Sequence, residues 1–109
     1  MLSRSASLST MGEAMHIKNE EAGSGGRYVG NFVEGEAPAV MTYSRASPSL
    51  IIVDHTEVPD SMRGKGAGQA LALHAVEQAR SGGWKIIPLC PFFRAQAQRH
   101  PDWRDVIKF

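Results

Sequence analysis

The chain has 109 residues, 42% hydrophobic and 21% charged. That globular balance excludes wholesale disorder, and the length allows about one hydrophobic core. Its 12 basic and 11 acidic side chains nearly cancel and are interspersed, so no electrostatic footprint for nucleic acid is visible. The longest purely apolar run, Ile86 to Phe93, contains two prolines and is far shorter than the roughly 20 residues of a bilayer span. The one cysteine, Cys90, cannot close an internal disulfide, which favours a reducing, cytoplasmic setting. Residues 1–14 are serine-rich, lack the apolar stretch of a secretory signal and read as a disordered tail. The domain is expected over 15–109.

In chain order, Met15 to Asn19 alternates weakly, as a short edge strand does. Glu20 to Gly26 holds three glycines and a serine, a turn signal. Arg27 to Val33 reads as a strand, Gly35-Glu36 as a turn, and Ala39 to Tyr43 as a further strand broken by Ser47-Pro48-Ser49. Leu50 to Val53 is continuously apolar, the pattern of a central strand. It runs on into the polar Asp54-His55-Thr56-Glu57 before Val58 and Pro59. Asp60 to Gly68 is a glycine-rich loop. Gln69 to Arg80 carries Ala72, Ala75, Val76 and Ala79 on one helical stripe, and Gly82-Gly83 stops it. Lys85 to Cys90 is a second apolar strand. Pro91 opens a short helix to about Arg99, and His100-Pro101 ends it. The order predicts an α+β layered domain: a mixed, mostly antiparallel sheet with one parallel strand–helix–strand crossover and a C-terminal helix.

The loop Arg63-Gly64-Lys65-Gly66-Ala67-Gly68 precedes the confident helix. Glycines bring backbone N–H groups close to a ligand, the helix start adds its dipole, and Arg63 and Lys65 add charge. Together they form a pyrophosphate cradle; the alternative is a flexible turn. A Walker A loop is excluded because Gly-Lys-Ser/Thr is missing. A dinucleotide fingerprint fails because Gln69 and Leu71 stand where glycine is needed and no acidic residue follows at the required distance. What fits is Arg-x-x-Gly-x-Gly, on Arg63, Gly66 and Gly68.

With His55-Thr56-Glu57-Val58-Pro59, Pro88-Leu89-Cys90-Pro91-Phe92 and Arg99-His100-Pro101, this loop resembles the minimal, single-domain branch of the GNAT acetyltransferase superfamily. The resemblance runs from about Met15 to the C-terminus. It implies acetyl-coenzyme A as co-substrate, its pyrophosphate on the cradle (Arg63, Gly64, Lys65, Gly66, Ala67, Gly68, Gln69). It also implies a pantetheine arm between Leu50–Val58 and Lys85–Cys90, with Val58 beside it. The chain departs from larger relatives in two respects. Only about seven residues separate the first two strands, where those relatives place two acceptor-binding helices, so the acceptor side should be open. The late-helix tyrosine that protonates the leaving thiolate has no counterpart, since the only tyrosines are Tyr28 and Tyr43.

Acetyl transfer to an amine needs a neutral nucleophile, a held thioester and a proton for the leaving thiolate. Cys90 ends the strand flanking the thioester, and the resemblance implies a catalytic role for it, including that of acetyl carrier; the alternative is a small buried hydrophobe. His55 and Glu57 share a strand face by alternation, and either qualifies as a base, directly or through water. Their alternatives are a structural histidine at a strand end and an arginine partner. His100 reads as a helix cap, and Trp84, Trp103, Phe92 and Phe93 as packing residues. The scattered histidines and single cysteine show no metal-ligand spacing. The expected function is an acetyltransferase acting on an unidentified amine, small molecule or protein. Its rivals are a non-catalytic coenzyme A or acyl-coenzyme A module, acting as a sensor or accessory protein, and a plain interaction domain.

Overall fold

The computed structural model describes residues 15–109; the tail expected over 1–14 lies outside the described residues. Strands β1 (His16–Ala22), β2 (Gly25–Asn31), β3 (Ala39–Ser47) and β4 (Leu50–Glu57) form an antiparallel meander. A single helical turn (Asp60–Met62) leads into α1 (Ala67–Gly82), then β5 (Lys85–Pro88), α2 (Pro91–Arg99) and a final turn (Pro101–Trp103). The sheet order is β1-β2-β3-β4-β5, with β4 and β5 parallel. This is the predicted mixed sheet with its helical crossover. No helix among the described residues is long and apolar enough to cross a membrane.

One face of the sheet holds the core. Tyr28, Met41, Tyr43, Ile51, Val53, Ile86 and Pro88 are buried there, brought into rows by the strand registers. Against them pack Leu71, Ala72, Ala75, Val76 and Ala79 of α1 and Phe93 and Ala97 of α2. The alanine stripe predicted from spacing is the buried one, and its small side chains let the α1 backbone approach the sheet. After Pro101–Trp103 the chain returns to the outer edge of β5: the Ile86 N–H donates to the Val106 carbonyl (2.7 Å) and the Lys108 N–H to the Ile86 carbonyl (2.8 Å). Among the described residues no helix lies on the opposite face of the sheet, and its side chains (Arg27, Thr42, Ser44, His55, Glu57) are exposed or half-exposed.

Three boundary differences from the sequence reading stand out, beside the earlier ends of β2 at Asn31 and β5 at Pro88. Glu20 to Gly26 is mostly strand: the β1–β2 ladder continues through Glu20↔Arg27 to Ala22↔Gly25, leaving only Gly23-Ser24 as turn. An ion pair from Arg27 Nε to Glu20 Oε1 (2.8 Å) crosses that ladder, a cross-strand contact that local composition does not reveal. β3 extends past Tyr43 to Ser47, so Pro48-Ser49 alone makes the next hairpin turn. And α1 starts at Ala67, taking Ala67 and Gly68 out of the loop.

The fourth difference matters most for the site. Thr42 pairs with His55 and Tyr43 with Val53, so Asp54 is an extra residue bulged from β4. Its carboxylate accepts hydrogen bonds from Thr42 Oγ1 (2.5 Å) and Ser44 Oγ (3.4 Å). The bulge reverses the alternation beyond it. Strict alternation puts His55 and Glu57 on the covered face with Ile51 and Val53. In the structure both lie on the bare face, and Thr56, opposite the fully buried Met41, points toward the helices.

Candidate functional site

The cradle is built at the end of β4. Met62 anchors it, fully buried among core residues, and the turn closes through Met62 N–H to Pro59 C=O and Arg63 N–H to Asp60 C=O (both 3.0 Å). Gly64 and Gly66 have φ of +81° and +77°, with open space where a Cβ would stand. This left-handed region strains residues with a side chain, so here the glycines serve backbone shape. Gly66 is the N-cap of α1, and no acidic side chain occupies the first turn. The N–H groups of Gly64, Gly66, Ala67, Gly68 and Gln69 make no main-chain hydrogen bond, leaving a set of donors at the positive end of the helix dipole. Arg63 and Lys65 are the exceptions within the motif: the Arg63 N–H donates to the Asp60 carbonyl, and the Lys65 N–H to the Met62 carbonyl (3.1 Å). What these two offer the cradle is their side chains alone.

Gly68 answers to a different constraint. A Cβ there would lie 2.6 Å from Cζ of Phe92, whose ring covers the first turn of α1. The last glycine of the motif thus allows α2 to close onto α1. Arg63 pairs with Asp60 (2.5 Å) with both side chains largely exposed, a contact weak enough to exchange for a ligand phosphate. Lys65 Nζ stands 5.5 Å from the centre of the Phe32 ring. The β2–β3 connection bearing Phe32 is folded around Glu36, whose carboxylate accepts the N–H groups of Phe32 (2.8 Å) and Val33 (3.0 Å). Those hydrogen bonds, Val33's first, hold the Glu36 carboxyl below the usual carboxylate range.

β4 and β5 run in register from Leu50↔Lys85 to Val53↔Pro88 and then part. The last rung between them is the Cys90 N–H donating to the Val53 carbonyl (2.9 Å). Beyond it, His55 to Glu57 pair with β3 on one side only, and Val58, 37% exposed, follows at the mouth. Cys90 is also the N-cap residue of α2, and its carbonyl accepts the Arg94 N–H (2.9 Å). Its side chain is 3% exposed, and Sγ is 3.3 Å from Thr56 Oγ1. Thr56 was not among the residues singled out from sequence, because only the Asp54 bulge turns it to this face. His55 and Glu57 are exposed on the other face. A pairing of His55 with Cys90 is therefore not formed.

The readings of His100 and of the aromatic residues hold. His100 caps α2, its Nδ1–H donating to the Gln96 carbonyl (2.8 Å), and its ring stacks on Trp103 at 4.1 Å. Phe93 and Trp103 are core residues, and Trp84 and Phe92 pack against it half-buried. Among the described residues no three His, Cys, Asp or Glu side chains are grouped to hold a metal ion.

The decisive comparison spans the cradle, both parallel strands and α2: residues 27–106 match the family model described as GCN5-related N-acetyl-transferase. The chain belongs to this family. The GCN5-related N-acetyltransferase fold is also seen in the solution NMR structure of a GCN5-like protein from Staphylococcus aureus, a candidate N-acetyltransferase. That protein is 28% identical, with a TM-score of 0.64 over 84% of this chain and 87% of its own. No curated protein matches the chain. As a family member it has this frame in small form: among the described residues, five strands, two α-helices and a sheet face without a helix.

Proposed function

We propose that this protein binds acetyl-coenzyme A and transfers its acetyl group to an amine. The observation that supports this reading most is the cradle: free N–H groups at the start of α1, at the mouth where β4 and β5 part. The pyrophosphate lies on the amides of Gly64 and Gly66 to Gln69, with the Arg63 and Lys65 side chains as counter-charge. The pantetheine amides take up the unpaired edge of β4 up to Val58, completing hydrogen bonds that β5 no longer supplies. The thioester then arrives at the level of Thr56 and Cys90.

Two routes fit this placement. In one, the Cys90 thiolate attacks the acetyl carbon, the carbon–sulfur bond to coenzyme A breaks, and that thiolate leaves with a proton. The acceptor amine then attacks acetyl-Cys90, forming the C–N bond and returning the cysteine. In the other, the amine attacks the thioester directly from the bare face. His55 or Glu57 then takes its proton, directly or through water, while Cys90 gives a proton to the leaving thiolate. A second reading, a coenzyme A binding module without turnover, is favoured by the near-complete burial of Cys90 and by the sheet standing between it and His55.

Incubation with acetyl-coenzyme A followed by peptide mass spectrometry separates these readings. A gain of about 42 Da, one acetyl group, on the Cys90 peptide, lost together with turnover in Cys90→Ala, is the acetyl-carrier outcome. Turnover without the label, falling in His55→Ala or Glu57→Gln, is the direct route. Binding without turnover is the module. Unchanged coenzyme A affinity in Gly66→Val overturns the cradle assignment.

A further inference from the structure

The strand registers set the side chains of the bare face in rows. Lys18 of β1 stands opposite Val29 of β2, Val29 opposite Val40 of β3, and Val40 opposite Glu57 of β4. All four belong to the bare face by alternation. Tyr28 and Met41, beside the two valines in sequence, are buried on the covered face, Ile17 packs against that core, and the Asp54 bulge has turned Glu57 outward. The row therefore has an exposed cation at one end, an exposed carboxylate at the other, and two half-buried valines as its floor. Three strand spacings of about 4.8 Å hold the two end backbones about 14 Å apart, too far for the charges to pair with each other. The adjacent row, Glu20, Arg27, Thr42 and His55, differs: its Arg27 Nε pairs with Glu20 Oε1 (2.8 Å).

The two ends of the row have different surroundings. Glu57 is followed by Val58 at the mouth where β4 and β5 part. Lys18 lines a cavity of about 460 Å³ together with His16, Asn31, Phe32 and Val33, in which Glu34 is the one acid. Asn31 is fixed there, its Nδ2–H donating to the Glu36 carbonyl (2.9 Å). A molecule lying along the row meets a carboxylate, then an apolar floor, then a lysine. Its electrostatic complement is an ammonium, an apolar spacer and a carboxylate, in that order. We propose that the acetyl acceptor is an amine of this class, an ω-amino acid with its ammonium at Glu57 and its carboxylate at Lys18. The proposal deepens the acetyl-transfer reading above and rests on it. The ammonium gives one proton to Glu57, directly or through water. Its nitrogen then forms the C–N bond as the thioester C–S bond breaks, and the second proton leaves with the coenzyme A thiolate. Lys18 takes no part in these bond changes and selects the acceptor by its far end.

Calorimetric titration of the full chain, saturated with coenzyme A, tests it with three probes: 8-aminooctanoate, 8-aminooctanamide and 1,8-diaminooctane. The first two differ only in the charge of the far end. The parent should bind the amino acid about fivefold more tightly than its amide, the upper scale of an exposed charge pair, and the diamine most weakly. That preference should shrink at high salt. Lys18→Glu should reverse the order of amino acid and diamine while leaving coenzyme A affinity unchanged, and Lys18→Arg should keep the parent's order. Equal affinity for the amino acid and its amide overturns the assignment. So does an order that survives Lys18→Glu, or no binding of any probe. In each of these cases, coenzyme A binding with acetyl transfer to some other amine leaves the acetyl-transfer reading standing. A parent chain that does not bind coenzyme A overturns both.

Discussion

The two faces of the sheet are made from the same strands but meet different demands. On the covered face, Tyr28, Met41, Ile51, Val53 and Ile86 are wholly buried against α1 and α2, so side-chain volume governs what is tolerated there. On the bare face, Thr42, Ser44, His55 and Glu57 meet solvent, and charge and hydrogen bonding govern instead. The candidate chemistry is split between them, with Cys90 and Thr56 on one side and His55 and Glu57 on the other. Any reaction using both sets has to pass through the opening where β4 and β5 separate. Under the proposed function, the bare face is the side from which an acceptor would approach.

The sharpest way to break this contrast is to truncate one residue on each side. Phe93→Ala, removing a fully buried ring, should cost about 3–5 kcal/mol of stability, whereas His55→Ala should stay within about 0.5 kcal/mol. Urea denaturation of both variants measures this, and comparable losses would mean the bare face is not free. The bulge gives a smaller effect: Asp54→Ala removes the acceptor for Thr42 and Ser44 and should cost about 1 kcal/mol. If the bulge also sets the parity of Thr56, this variant should change the alkylation rate of Cys90; an unchanged rate would separate bulge geometry from that hydrogen bond.

Thr56→Val tests the sulfur's neighbour. It keeps the shape and deletes the only hydroxyl at hydrogen-bonding distance from Cys90 Sγ among the described residues. The rate of Cys90 alkylation should change in Thr56→Val and return toward the parent in Thr56→Ser.

The smallest effect is a pH dependence from the covered face. Burial pushes the His74 imidazole down from its ordinary range, partly opposed by Glu77, with the Tyr28 ring edge-on at 5.3 Å. Above about pH 6.5 the imidazole is mostly neutral in both folded and unfolded chains. Below that, the unfolded chain takes up a proton that folded His74 resists, so stability falls as pH drops toward the folded value and then levels. His74→Gln should flatten this slope below about pH 6.5. A slope equal to the parent's would overturn the assignment to His74.

Much of this architecture was legible because its signals are local. The apolar run before Asp54, the alanine stripe of α1, and proline at the start of α2 each depend on a few neighbouring residues. The cradle was legible for the same reason, with glycines and cations packed into one short loop. What escaped depends on partners distant in sequence. The β1–β2 hairpin was read too short because the ladder joining Glu20 to Arg27 is a property of two strands. His55 and Glu57 share a face as expected, but the Asp54 bulge, set by how β3 and β4 pair, decides which face. Thr56 became visible as the neighbour of Cys90 only through that pairing. Within the loop itself, spacing did not show that the Lys65 N–H is used by Met62, or that Gly68 makes room for Phe92.

The Cys90 N–H to Val53 bond is the last tooth of a zipper between the two parallel strands, and the same residue begins α2. A group added to the sulfur, whether an acetyl or an alkyl label, must be housed beside that tooth in a space that leaves the residue 3% exposed. Chemistry at the side chain therefore loads the seam between the antiparallel meander and the β5–α2 half of the molecule. The exchange rate of the Cys90 amide proton becomes a gauge of the sulfur's chemical state, readable without following any acceptor.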